Sequence, residues 1–287
     1  MTDKLHYRIR GSSLPSHAAC SRSWAVDHLK AARAEKVKKE DDNYKIGVVI
    51  GNQCHAAAER LEIAKLEGVP LKYGQVIDDQ IAEFRLATKG KTIEYDNTTR
   101  CLGDAEIQIE SLLTEFSLYV LPDLQPAFVE LELEYRYSDL ITVSCHLDLV
   151  DRLGSSGNIF TIGDHKFGHG DGTYQAQLGV YLLALEAQDW WDGEIPYLWL
   201  SHIQRVGPGA IQTAAQRIIY TRDQVLDAAL FRLESIEREI LQYEQCGTLW
   251  PFGPNPASMF CTENTCRAWG SDLCNQWTPK QQKEKRE

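Results

Sequence analysis

The chain lacks the segments that would carry it into or across a membrane. No apolar run approaches the roughly 18–20 residues needed to span a bilayer. The N-terminal stretch MTDKLHYRIRGS has no apolar core of the kind a secretory signal carries. A cytoplasmic protein with no membrane contact is the expectation. Several enzyme signatures are also missing. There is no G-x-S-x-G nucleophile elbow, no Walker phosphate loop and no H-E-x-x-H zinc motif. The glycine-rich GHGDG at 168–172 lacks the lysine and helix entry of a phosphate loop. It reads instead as a loop that gates a neighbouring site. With no nucleotide-binding loop, no motor is encoded, and any unwinding of a duplex would need a partner.

An excess of positive charge is missing too. The formal net charge is −11 over 287 residues, which argues mildly against binding a phosphate backbone. The charge is uneven, however. Residues 1–40 hold nine Lys or Arg against four acids, and the tail after Trp277 is rich in lysine. The length suits one large domain or one domain with a small appendage.

What is present first is periodicity. Ser16 can cap a helix running to about Lys39. Helical spacing returns at Val48–Leu66, 75–87 and 104–120. From Phe128 to Tyr137 the pattern alternates. Val129, Leu131, Leu133 and Tyr135 fall on one face, and Glu130, Glu132 and Glu134 on the other, which predicts a half-buried strand. Leu140–Leu153 and Ile159–Lys166 read as two more strands around the turn cluster Gly154-Ser155-Ser156-Gly157-Asn158, giving an antiparallel meander. A helix over Thr173–Ala187, strands over Pro196–Gln204 and Gln212–Tyr220, and a helix over Arg222–Gln245 capped by Thr221 follow. Gly247–Trp277 shows no regular element.

The chemistry concentrates in HLDLVDRLGSSGNIFTIGDHKFG. Asp148 and Asp164 are equidistant from Ser156, the centre of the turn. In a regular hairpin such residues lie opposite each other, with Cβ atoms about 5 Å apart. Alternation then puts Lys166 on the face of Asp164. Two adjacent carboxylates repel unless a cation sits between them. Mg²⁺ or Mn²⁺ meets that need with oxygen ligands and can activate a bound water. Lys166 can orient that water or stabilise charge on phosphorus. A surface hairpin with an ordinary Asp–Lys pair would give the same spacing.

These residues resemble the PD-(D/E)XK nucleases, in particular the RecB-like branch that includes the AddB nuclease and the CRISPR spacer-acquisition nuclease. Asp148 matches the Asp of the second core strand, and Asp164-His165-Lys166 matches the D-x-K. Gln177-x-x-x-Tyr181 matches the helical Q-x-x-x-Y, and His55 the metal-binding His of an N-terminal helix. His146 is a departure, since a Gly usually stands two before the Asp. The resemblance implies a restriction-endonuclease-like α/β (α+β) fold: a central mixed sheet with an antiparallel meander, flanked by helices, after a helical N-terminal region. It implies that His55, Asp148, Asp164 and the main-chain carbonyl of His165 hold the metal, that Lys166 assists the water, and that Gln177 and Tyr181 contact the substrate strand and support the centre. Glu59, Glu130 and Glu132 are lesser candidates for a further acid. The expected division is a helical region at 1–125, the nuclease core at 126–245 and a Cys-rich segment at 246–287.

Eight cysteines are not spaced like a small secreted scaffold. Cys54, Cys101 and Cys145 read as small buried side chains. Cys261, Cys266 and Cys274 fall within an irregular tail and suggest metal ligation, with Cys20 the natural fourth ligand and Cys246 its rival. One N-terminal and three C-terminal cysteines resemble the iron–sulfur RecB-like nucleases, so a [4Fe-4S] cluster stapling the chain ends is implied. The C-terminal spacing is looser than theirs, which leaves zinc or unligated thiols open. The expected function is a Mg²⁺- or Mn²⁺-dependent deoxyribonuclease, an exonuclease on DNA ends or single strands, working with a helicase or a recombination or defence protein. The competing expectation is an inactive nuclease-fold subunit that binds DNA or a protein.

Overall fold

The computed structural model describes residues 6–29, 43–70, 72–154, 157–168 and 173–258, with 261, 266, 268, 269, 273 and 274. The meander is β4 (Pro126–Arg136), β5 (Ile141–Arg152) and β6 (Phe160–Phe167), all antiparallel neighbours. The β5–β6 ladder pairs Leu149 with Gly163 and Arg152 with Phe160, the register expected from the turn. β7 (Tyr197–Ile203) runs parallel to β6, and β8 (Gln216–Thr221) closes the sheet antiparallel to β7.

β4 pairs along nearly all of β5, so the other edge of β5 is shared. β6 takes its C-terminal end. β1 (Tyr7–Arg10), too short to announce itself in the sequence, lies parallel on Ile141–Ser144. The carboxyl ends of β1 and β6 therefore face each other across the middle of β5. Crevices at the carboxyl ends of strands, where the connectivity switches direction, are where ligands bind in open sheets.

One core lies between the sheet and the helices α6 (Gln175–Glu186) and α7 (Arg222–Cys246). α6 and α7 touch so closely that a Cβ on Gly179 would fall 2.0 Å from the Val225 carbonyl. α7 begins with the expected cap, Thr221 and Gln224 bonding reciprocally, and ends at Gly247 in the left-handed conformation. The opposite face packs on α3 (Ile46–Leu66), α4 (Tyr73–Thr88) and α5 (Leu102–Glu115). A small parallel pair, β2 (Asn43–Lys45) with β3 (Thr92–Glu94), leads into α3. Among the described residues no helix is long and apolar enough to cross a membrane.

Several expectations need correction. The helix predicted from Ser16 to Lys39 is two short helices, α1 (Leu14–Ala19) and α2 (Ser21–His28). Cys20, in extended conformation, breaks them apart, and residues 30–42 lie outside the described set. Cys54 and Cys145 are buried as expected, but Cys101 is exposed. It caps α5 by accepting from the Asp104 amide at 3.4 Å. The alternation along β4 is also not continuous. Leu131, Leu133 and Tyr135 face the α6/α7 core, whereas Val129 faces the α3 core. Glu130 between them has φ of 51°, the one non-glycine residue with positive φ among those described. β5 switches faces at the facing rung, with Leu147 in one core and Leu149 in the other. Asp148 is the residue between.

Candidate active site

The site forms where β5 switches faces and the β5–β6 ladder ends. Asp148 and Asp164 are the rung just beyond the last ladder pair, Leu149 with Gly163. Asp148 turns its carboxylate to the β6 backbone, where the His165 amide donates to it at 2.9 Å. His55, in the middle of α3, brings Nδ1 to 3.6 Å from the same carboxylate. Asp164 is fully buried. Gln177 Nε2 donates to its Oδ1 at 3.0 Å and to the Tyr181 hydroxyl at 2.8 Å, so the Q-x-x-x-Y turn of α6 acts on this carboxylate. Both residues are buried. Lys166 Nζ lies 2.5 Å from Asp164 Oδ2 and about 5 Å over the Tyr174 ring. The Lys166 ammonium is thus the cation that faces the buried Oδ2. The sequence-predicted set of His55, Asp148, Asp164, His165, Lys166, Gln177 and Tyr181 thus meets at one place. His169 to Gly172, most of the predicted gating loop, lie outside the described residues.

Electrostatics separates the two carboxylates. Burial acts to raise Asp148, but His55, Lys166 and His165 outweigh it and hold the group below its ordinary value. Burial raises Asp164 to about 6, helped by the neighbouring Asp148 and opposed by Lys166. Burial lowers His55 to about 4, against the pull of Asp148, so its imidazole is neutral and able to donate a lone pair. Two carboxylates pushed apart in this way mark a site short of positive charge. Lys166 moves up because both acids hold its proton against the cost of burial.

Sequence reasoning missed one participant and undervalued two others. Glu62, two turns beyond His55 on α3, is 1% exposed and bonds His165 Nε2 at 2.7 Å. Burial alone would lower His165, and Glu62 overrides it. This buried pair fixes the segment whose amide holds Asp148. The second is Glu130, considered only as a lesser acid. Burial, then Asp148, Glu59 and Glu62, raise its carboxyl to about 8, and His146 Nε2 lies 2.8 Å from it. The third is the His165 imidazole itself, expected to contribute only its carbonyl. A signal for Glu62 existed in the His55-x6-Glu62 spacing, which puts both residues on one helix face.

The residues fit a hard divalent cation by donor chemistry: two carboxylates and a neutral imidazole. They are not drawn into a closed ligand set, and among the described residues no three His, Cys, Asp or Glu side chains stand ready to hold a metal ion.

Away from these residues, α2 and the tail converge. Arg22 donates to the Phe252 and Leu273 carbonyls at 2.8 and 2.9 Å. Burial, with the thiols of Cys266, Cys274 and Cys20 close by, raises Cys261. The other three predicted cysteines are thus close enough to act electrostatically on Cys261, but among the described residues the four are not gathered into a metal-holding group. Cys246 stands apart, its thiol exposed and bonded to Thr248 at 3.4 Å.

Comparison with known proteins bears on the family and the fold. The profile of the PD-(D/E)XK nuclease superfamily matches residues 11–267. Among curated proteins none matches the chain. The crystal structure of a putative exonuclease from Eubacterium rectale is similar in fold, with a TM-score of 0.52 and 10% identity over 90% of this chain and 88% of that one. A second solved structure, SSO0001, aligns at 12% identity over 80% of this chain and 94% of that one, but at a TM-score of 0.27 it carries nothing for the fold.

Proposed function

Because the chain belongs to the PD-(D/E)XK nuclease superfamily, we propose that it is a Mg²⁺- or Mn²⁺-dependent deoxyribonuclease, an exonuclease acting on DNA ends or single strands. The observation that carries this reading is the meeting of Asp148, Asp164 and Lys166 at the open end of the β5–β6 ladder. The exonuclease description of the Eubacterium rectale structure points the same way.

His55, Asp148, Asp164 and the His165 carbonyl would hold the cation, which when bound polarises the scissile phosphate and makes water a better nucleophile. Lys166 directs the water toward phosphorus and stabilises charge that develops on the phosphoryl oxygens. Water adds to phosphorus and gives up one proton to solvent, the bond to one ester oxygen breaks, and that oxygen leaves with a proton from solvent. Gln177 and Tyr181 keep Asp164 facing the centre. Glu62 holds His165, and through its amide Asp148. We read 1–125 as the region that supplies His55 and Cys20, 126–245 as the catalytic core, and 246–287 as a segment folded back on it.

The same reading assigns Cys20, Cys261, Cys266 and Cys274 to a [4Fe-4S] cluster that staples the chain ends. The electrostatic action of Cys20, Cys266 and Cys274 on Cys261 supports it. Zinc would use the same donors. Visible absorbance and iron in the as-purified protein are expected, and zinc without iron would replace the cluster by a zinc site. The net charge of −11 favours the rival reading, an inert subunit that binds DNA or a protein partner. Cleavage of labelled DNA by the wild type, lost in Asp164→Ala, decides between them.

A further inference from the structure

A cavity of about 510 Å³ opens on the sheet beside the catalytic centre. Its walls include Arg8, Arg10, Ser12, Glu132, Ser144 and His146. Strand register explains why they meet. β1 places Arg10 beside Ser144 of β5, and β4 places Glu132 beside His146. Ser144, His146 and Asp148 succeed one another at every second residue of β5, about 7 Å apart. The cavity therefore ends at His146, two residues along β5 from Asp148, and His146 pairs with Glu130, which faces Asp148 across the β4–β5 ladder.

The two arginines are not equivalent. Arg8 is held by Glu134 at 2.6 Å. Arg10 is exposed, and among the described residues no hydrogen bond or ion pair engages its guanidinium. All five of its donors remain to be used. Its backbone is fixed. The next residue, Gly11, is pressed so tightly that a Cβ there would lie 2.9 Å from Val180 and 3.2 Å from the Tyr181 ring. Arg10 is thus positioned by packing against the helix that orients Asp164. Ser12 adds an exposed hydroxyl to the same wall. On the other wall the exposed Glu132 repels anions, which confines an anionic group to the Arg10 side.

We propose that Arg10 and Ser12 form a phosphate subsite of the substrate strand, gripping a phosphate next to the one being cut. This rests on the nuclease reading. Planar guanidinium suits a phosphate better than any other side chain. The subsite is a positioning device: it holds the strand so that the scissile phosphate lies over Asp148 and Asp164.

The test uses the full chain carrying Lys166→Ala, which prevents cleavage, and fluorescein-labelled single-stranded oligonucleotides with either a 5′-hydroxyl or a 5′-phosphate. Anisotropy titrations over a salt series give affinity and its salt dependence. Adding Arg10→Ala is expected to weaken binding roughly tenfold and to make the slope of log K against log salt shallower by about 0.7. Arg10→Lys keeps the charge and should restore the slope while recovering only part of the affinity. Arg136→Ala, outside the groove and paired with Asp139 at 2.9 Å, should leave both unchanged. An equal effect on both oligonucleotides assigns an internal phosphodiester to the subsite, and an effect only with the 5′-phosphate assigns a terminal phosphate. Unchanged slope and affinity in Arg10→Ala overturn the subsite while leaving the nuclease reading intact. A parent that binds neither oligonucleotide removes both.

Discussion

Gln177→Ala perturbs the centre without replacing any group assigned to the cation or the water. Gln177 supplies the hydrogen bond, 3.0 Å long, to Asp164 Oδ1, while the other oxygen is ion-paired with Lys166 at 2.5 Å. A hydrogen bond to a charged group contributes about 1.5–3 kcal/mol. Its loss penalises only the ionised form, which corresponds to a rise of about 1–2 pKa units. Asp164 stands at about 6, so the variant should titrate between about 7 and 8. A cation requires the carboxylate, so its affinity falls as pH drops through that value. Calorimetric titration with Mn²⁺ across pH 5.5–9 reads the midpoint directly. The wild type should lose affinity near pH 6 and Gln177→Ala one to two units higher, with both reaching similar affinity at the alkaline end. An unmoved midpoint would refute the argument that Gln177 acts through Asp164. So would a uniform loss at every pH, which would indicate damage to the site rather than a displaced titration.

Three further outcomes follow from the same geometry. Glu62→Ala leaves a buried His165 without its partner and should cost about 3–5 kcal/mol in urea unfolding, whereas Glu62→Gln, which can still hydrogen-bond, should cost less; equal costs would remove the charge argument. Glu130 is raised from 4.5 to about 8, so its contribution to stability is fully present below pH 4.5 and is lost as pH rises through 8. The rise has a ceiling of about 5 kcal/mol, which solvent screening of a part-exposed side chain reduces to about 2 kcal/mol, so Glu130→Gln should exceed the wild type by that amount at pH 9 and match it at pH 4, with parallel curves as the contrary result. Gly179→Ala should lower stability by about 1–3 kcal/mol through the clash with Val225 and Ala229, and because α6 carries Gln177 and Tyr181 it should also reduce cleavage more than a surface change of similar cost.

The hairpin that carries the site was legible because its information is local. Two glycines mark the turn, and both now show positive φ, Gly154 at 86° and Gly157 at 114°. The turn leaves a single register that buries Val150 and Ile162 in one core. The face switch at Glu130 and Asp148 was not legible. FVELELEY alternates without interruption, and a positive φ at a glutamate leaves no trace in composition. Nor was β1, since YRIR is four residues long and gains its identity only by pairing with Ile141–Ser144, far away in the chain. Arg10 could not be placed without it. Cys20 looked like a residue inside a long helix, yet its extended backbone ends α1 and turns its thiol toward the tail, where the Asn255 amide lies 3.4 Å away. The motif residues were found by type and order, while the groups that tune them, Glu62 above all, needed the tertiary structure.

The central claim is that Asp148, Asp164 and Lys166 form one hydrolytic centre. The most direct measurement is cleavage of end-labelled single- and double-stranded DNA with Mn²⁺ by the wild type, Asp164→Ala and Lys166→Ala, each checked for folding by circular dichroism. The account predicts metal-dependent shortening from an end by the wild type and loss of it in both variants. Equal cleavage by all three proteins would contradict it.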